Sequence, residues 1–228
     1  MLPLGDDARL AKARKSFLIV GLGYFGAEIA ASLAELGQEV VGVDADPSIV
    51  QHMADKLTQA VEMDATDQDL LATLGVSNFD ICIVGRGSDL EDSVSITMSL
   101  KELGAKYVIA KAQSDRQARI LERLGVDLIV FPELDMARHV AEKLVRTEVV
   151  GEIEIGDGYA IDALKLPERF AGEPFGKVES ALPKGSEVLG LYRDGQIQKS
   201  PSSEVPMAEG DILLVWGRQS RLAALAAK

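Results

Sequence analysis

Residues 21–26 read Gly-Leu-Gly-Tyr-Phe-Gly and follow directly on the apolar run 17–20. Glycines at that spacing let a strand turn tightly into a helix while the backbone stays bare enough to approach a pyrophosphate. The helix that follows points its N-terminal N–H groups at that negative charge. A second apolar run, 40–43, ends at Asp44, an acid about 20 residues past the turn, where a carboxylate can accept from ribose hydroxyls. Strand, glycine turn, helix, second strand and terminal acid, in that order, predict a nucleotide site. Glycines that merely tighten a strand–helix turn are the weaker alternative.

Further apolar runs at 60–63, 81–84, 107–110 and 128–131 alternate with helix-period segments at 27–36, 47–56, 68–74, 90–103 and 116–124. Such alternation predicts a parallel sheet covered by helices on both faces, with ligands bound beyond the carboxyl ends of the strands. Pro47 suits a first helical turn, and Gly37, Gly75, Gly104 and Gly125 each stand where a helix would stop in a left-handed conformation. After Pro132 the apolar positions Met136, Val140, Leu144 and Val145 recur at helical spacing in a segment ending near Thr147. From Gly151 the pattern changes to short β-like runs at 160–166, 187–192, 196–198 and 212–216, with Asp194-Gly195 as a hairpin signal. The resulting division is an N-terminal tail (1–15), a nucleotide-binding α/β domain (16–134), a helix and linker (135–150) and a small α+β domain (151–228).

Charge and cysteine content narrow the function. With 24 Lys and Arg against 36 Asp and Glu, the formal charge of −12 disfavours nucleic-acid polymers and anionic lipid as partners, so bound phosphates must be met by local groups. The one cysteine, Cys82, lies in an apolar run and reads as a small buried hydrophobe, consistent with a reducing compartment. No run approaches the ~20 apolar residues that span a bilayer, and the expectation is a cytoplasmic protein.

The candidate ligand groups gather at predicted strand ends. Asp46 reads as the cap of the helix starting at Pro47. Asp64, Ala65 and Thr66 follow the third strand and either border the ligand crevice or form an ordinary cap. Lys111 brings an ammonium to the end of the fifth strand, and Arg86, between Gly85 and Gly87, can reach the same rim. His52 and His139 sit on predicted helices without a partner arrangement, and no nucleophile-elbow pattern accompanies the serines between 88 and 99. A binding module is favoured over an enzyme. A small NAD(P)-dependent oxidoreductase is the alternative, and it requires a substrate pocket and a catalytic acid or base.

Gly21-Leu22-Gly23-x-Phe25-Gly26, Asp44, Asp64-Ala65-Thr66, Val84-Gly85-x-Gly87, Lys111-Ala112-Gln113, Pro132-Glu133-x-Asp135-Met136 and Glu209-Gly210-Asp211 together resemble the RCK regulatory subunits of bacterial Ktr/Trk potassium uptake systems. The resemblance covers nearly everything beyond residue 15. It implies a Rossmann-like N-lobe binding ATP or ADP, with NAD(H) as a further candidate, followed by a C-lobe. It also implies a homodimer assembling to an octameric ring beneath a membrane-embedded potassium-translocating subunit. By position it puts phosphate at Gly21, Gly23 and Gly26, with Tyr24 and Phe25 in the same turn, ribose at Asp44, the adenine rim at Asp64, Ala65 and Thr66, and a further contact at Lys111. Glu133 corresponds to an acidic residue that in some members helps hold magnesium or calcium at the dimer interface. Tyr24 departs from the arginine usual there, and Arg86 is a candidate replacement for that cation.

Overall fold

A computed structural model describes residues 14–87, 89–145, 149–218 and 220–222. The N-terminal tail up to residue 13, Ser88, the linker positions 146–148, Gln219 and residues 223–228 lie outside the described residues. The chain divides into two compact units, Met1–Asp135 and Met136–Lys228.

In the first unit, strands β1 (Ser16–Val20), β2 (Glu39–Asp44), β3 (Gln59–Glu62), β4 (Ile81–Val84), β5 (Val108–Lys111) and β6 (Leu128–Val130) form one parallel sheet in the order β3-β2-β1-β4-β5-β6. Helices α1 (Tyr24–Glu35), α2 (Pro47–Met53), α3 (Gln68–Ala72), α4 (Leu90–Glu102) and α5 (Asp115–Arg123) make the crossovers. The apolar runs are continuous because the sheet is buried on both faces. Leu18 and Val20 pack with Val43, Val84, Ile96 and Leu100 on one side, while Phe17 and Ile19 pack with Leu22, Ala30, Val40 and Met53 on the other.

Strand order reverses between β1 and β4, which is where such sheets bind ligands. The register makes this concrete. Val20 lies opposite Val43 and Val84, and Val84 opposite Ala110. The next residue along each strand is Gly21, Asp44, Gly85 and Lys111, so three sequence-predicted groups and the glycine before Arg86 emerge side by side at one sheet edge.

Most element boundaries differ from the sequence reading by one to three residues. α1 starts at Tyr24 rather than residue 27, inside the glycine motif, because Gly23 acts as its N-cap. β5 runs one residue later and takes Lys111 into the strand. α2 stops at Met53, short of residue 56. The four glycine stops do adopt positive φ, between 69° and 82°.

α6 (Pro132–Val145) begins in the first unit and carries the chain into the second. There, β7 (Val149–Gly156), β8 (Tyr159–Lys165), β9 (Glu187–Arg193), β10 (Gln196–Gln198) and β11 (Ile212–Arg218) form an antiparallel sheet in the order β10-β9-β11-β8-β7. Helix α7 (Phe175–Ala181) supplies Phe175 and Val178 to a core with Leu164, Leu191, Leu213 and Val215. The Asp194-Gly195 hairpin forms as expected, with φ of 50° and 78°. β7 and α7 are absent from the sequence reading. β7 carries Glu152 and Glu154 and five of its eight residues are exposed; it pairs with β8 and packs Val149 against the core. α7 has a glycine in its first turn and is held by the burial of two side chains.

Candidate functional site

The carboxyl ends of β1, β2, β4 and β5 open into a cavity of about 690 Å³, within the ~300–1,000 Å³ usual for small-molecule sites. Gly21, Gly23, Tyr24 and Phe25 form one wall, Asp44, Ala45, Asp46 and Ile49 another, and Gly85, Arg86, Gly87, Lys111 and Gln113 the remainder.

Backbone packing shapes the glycine turn. Gly21 has a φ of +89°, and a Cβ on Gly26 would stand 1.8 Å from the Gly21 carbonyl oxygen. A Cβ on Gly85 would come within 2.6 Å of the same atom. Gly26 is buried and does not line the cavity. Its place in the motif is thus the close approach of α1 to β1, rather than the phosphate contact expected from sequence. Gly23, by contrast, has open space where a Cβ would be.

The start of α1 differs from its neighbours. α2, α3, α4 and α5 are capped by the side chains of Asp46, Asp67, Asp89 and Ser114. α1 has Gly23 at its N-cap, no capping side chain and no acid in its first turn. The first N–H groups of a helix have no intrahelical acceptor, and here they border the cavity with the helix dipole behind them.

Asp44 sits where the sequence puts it, with a second task. Its Oδ2 accepts from the Leu22 N–H at 2.7 Å and its Oδ1 from the Asp46 N–H at 3.0 Å. The carboxylate thereby pins the glycine turn to the end of β2, and its remaining lone pairs can serve a ligand.

Both cavity cations have carboxylate partners. Arg86 Nε lies 3.0 Å from Asp92 in the first turn of α4. Lys111, a buried residue, gives its ammonium to Glu133 and lies 5.9 Å from the centre of the Phe25 ring. The Lys111 hydrogen bond holds the Glu133 carboxyl below the usual range. Asp92 was missed by the sequence reading, although its spacing from Arg86 and its place in a first helical turn were available. Ala45 and Ile49 were missed as well, being apolar residues without a chemical signature. Tyr24 is 99% exposed at the cavity rim.

Asp64, Ala65 and Thr66 do not line the cavity. Asp64 Oδ1 accepts from the Thr66 hydroxyl at 2.7 Å and its N–H at 3.0 Å, and these bonds depress its pKa. Ala65 is buried in the core. The segment closes on itself as a turn, and α3 is capped by Asp67, so neither Asp64 nor Thr66 is the cap of that helix. Glu133 faces a cation, and among the described residues no group of three or more His, Cys, Asp or Glu side chains is placed to hold a metal ion. His52 contacts Lys56 at 3.0 Å, and neither His52 nor His139 lines the cavity. Cys82 is fully buried, and burial raises its thiol to about 12.

Residues 17–132 match the TrkA-N domain. The chain is 33% identical to Ktr system potassium uptake protein C of Bacillus subtilis (strain 168), over 90% of this chain and 92% of that protein. It is 32% identical to Ktr system potassium uptake protein A of Vibrio alginolyticus, over 92% and 95%. This chain belongs to the TrkA-N family, in its Ktr/Trk potassium-uptake branch. The GsuK RCK domain shares its fold, with a TM-score of 0.59 at 20% identity over 95% of this chain and 48% of that one. The GsuK channel bound to NAD superimposes with a TM-score of 0.57 at 20% identity over 94% and 39%. The chain thus spans about half, or less, of each of those structures. Among the described residues of this TrkA-N protein, no helix is long and apolar enough to cross a membrane.

Proposed function

We propose that this TrkA-N protein is the nucleotide-sensing regulatory subunit of a potassium-uptake system and acts on a separate, membrane-embedded potassium-translocating subunit. The observation that carries the reading is the uncapped start of α1, opening with the glycine turn into a cavity that also holds Lys111 and Arg86. Bare helix N–H groups plus two cations suit a phosphate chain, and Asp44 beside them suits a ribose. ATP and ADP are the favoured ligands, with NAD(H) next; the NAD-bound GsuK channel has the same fold. The names of the Ktr relatives supply the link to potassium uptake.

The protein's own groups bind and orient; no bond in the ligand need break. Regulation then follows from unequal affinity of two conformations for a nucleotide. Homodimers assembling to an octameric cytoplasmic ring are the proposed frame for that change, with Glu133 from paired chains as a candidate holder of magnesium or calcium. Calorimetric titration with ATP, ADP, AMP and NADH, each with and without magnesium or calcium, tests the reading. Saturable binding of at least one adenine nucleotide is expected, and heat of dilution alone for all of them would refute it.

A further inference from the structure

We propose that Glu133 is an internal stand-in for a ligand phosphate: its carboxylate occupies Lys111 until an anionic ligand takes over the ammonium. The released carboxylate then carries the exchange to the first turn of α6. The inference rests on the nucleotide reading above and assigns that site an autoinhibitory contact.

The two partners differ sharply in exposure. The Lys111 side chain is 11% exposed and that of Glu133 is 64% exposed. A buried ammonium left without an anion is costly, whereas a carboxylate that is already mostly solvated loses little on release. The cation therefore needs an anion at all times, but which anion is open to exchange. Arg86 and Asp92 form no such latch, because their side chains are 45% and 26% exposed and water can solvate either after separation.

The surroundings give each partner somewhere to go. Lys111 lines the 690 Å³ cavity with the glycine turn. Glu133 lines a second cavity of about 530 Å³ with Gln113, Asp115 and Phe131, and Gln113 borders both spaces. The ion pair crosses the partition between them. A Cβ on Gly87 would press within 3.2 Å of Lys111 Cγ and 3.3 Å of Cδ, so the bare glycine leaves the lysine stem free to shift.

Glu133 also stands at a consequential point in the chain. It lies in the first turn of α6, two residues before the first unit ends at Asp135, and α6 continues into the second unit. A carboxylate freed from its counter-ion there interacts more strongly with the positive end of the helix dipole. Phosphate arriving at Lys111 thus changes the electrostatics at the start of the helix that joins the two units.

The test is titration of the full chain with ADP and with adenosine, in EDTA, for wild type, Glu133→Gln and Glu133→Ala. Removing the competing carboxylate should tighten ADP about fivefold while adenosine, which carries no phosphate, changes less than about twofold. Hydrogen exchange supplies the readout that a merely structural role would not move: ADP should alter protection of the amides at 133–137 in wild type and not in either variant. If wild type binds ADP but neither variant binds it more tightly, the inference falls and the nucleotide reading stands. If wild type binds neither ligand, both fall together.

Discussion

The Gly21 carbonyl is enclosed by two glycines, and each excludes a side chain for a stated distance. Gly26→Ala would set a methyl 1.8 Å from that oxygen, within rigid backbone. Overpacking of this kind costs about 1–3 kcal/mol, which should appear as a fall in melting temperature of several degrees and weaker nucleotide binding. Gly23→Ala, with open space at its Cβ, should cost less, about 1 kcal/mol or below, from the poorer N-cap alone. Asp44→Ala removes the acceptor of the Leu22 and Asp46 N–H groups together with the proposed ribose acceptor. Hydrogen bonds to a charged group contribute about 1.5–3 kcal/mol, so affinity for ADP measured by calorimetry should fall about tenfold or more. Tyr24, fully exposed at the rim, is free to be exchanged. Tyr24→Arg should raise affinity for ATP more than for ADP, because a guanidinium can pair with a terminal phosphate and a phenol cannot. Equal gains for both nucleotides would remove Tyr24 from the terminal-phosphate site.

Helix starts and strand ends are where pairs of elements are tied together. Asp211, immediately before β11, is 1% exposed and accepts from Arg193 Nε and Nη2 of β9, both at 2.6 Å, and from the Ala208 N–H at 2.8 Å. Burial alone would raise this carboxyl, but the Arg193 hydrogen bonds, the Ala208 bond and the guanidinium charge outweigh it, and the net shift is downward. A group depressed on folding stabilises the fold fully above its unfolded pKa, about 3.9 for Asp. That stability is lost as pH falls through the folded value. The second unit should therefore keep the benefit of this clasp throughout neutral pH and lose it only in acid below about pH 4. Asp211→Ala removes the acceptor of the Arg193 and Ala208 donors and, with the guanidinium 33% exposed and still bonded to the Pro206 carbonyl, should destabilise the unit by about 1–3 kcal/mol. Urea unfolding at pH 7 and pH 3 checks both points, since the difference between wild type and variant should shrink at the lower pH.

At the scale of the molecule, α6 presents Leu134, Met136, Val140 and Leu144 at 43%, 60%, 46% and 74% exposure. Met136, Val140 and Leu144 share one face of the helix, and an exposed apolar face of this kind suits the proposed homodimer. Light scattering should give a mass well above the 24.4 kDa of one chain. Val140→Glu with Leu144→Glu should shift the protein toward monomer, because each places a charge where an apolar contact would form. A chain that is monomeric before substitution would remove the dimer from the proposed mechanism.

Much of the first unit is legible in the sequence because its signals are local. Strand runs, glycine stops and the Asp46 cap each depend on residues a few positions apart, and the glycine turn with Asp44 reflects the geometry of one strand–helix–strand unit. Strand order and register then required the tertiary structure, and they bring Gly21, Asp44, Gly85 and Lys111 to one edge. Only the fold decided the status of the polar groups. Asp64 and Thr66 close on each other, Gly26 packs rather than contacts the cavity, and Lys111 is bonded to Glu133, 22 residues away. β7 carries a local strand signal that the sequence reading passes over, since Val149, Val150, Ile153 and Ile155 are β-branched and Glu152 and Glu154 alternate with the isoleucines, whereas α7, with a glycine in its first turn, depends on the burial of Phe175 and Val178. Spacing in the chain specifies which groups approach the cavity, but the partner each one takes depends on desolvation and distance, which exist only after folding.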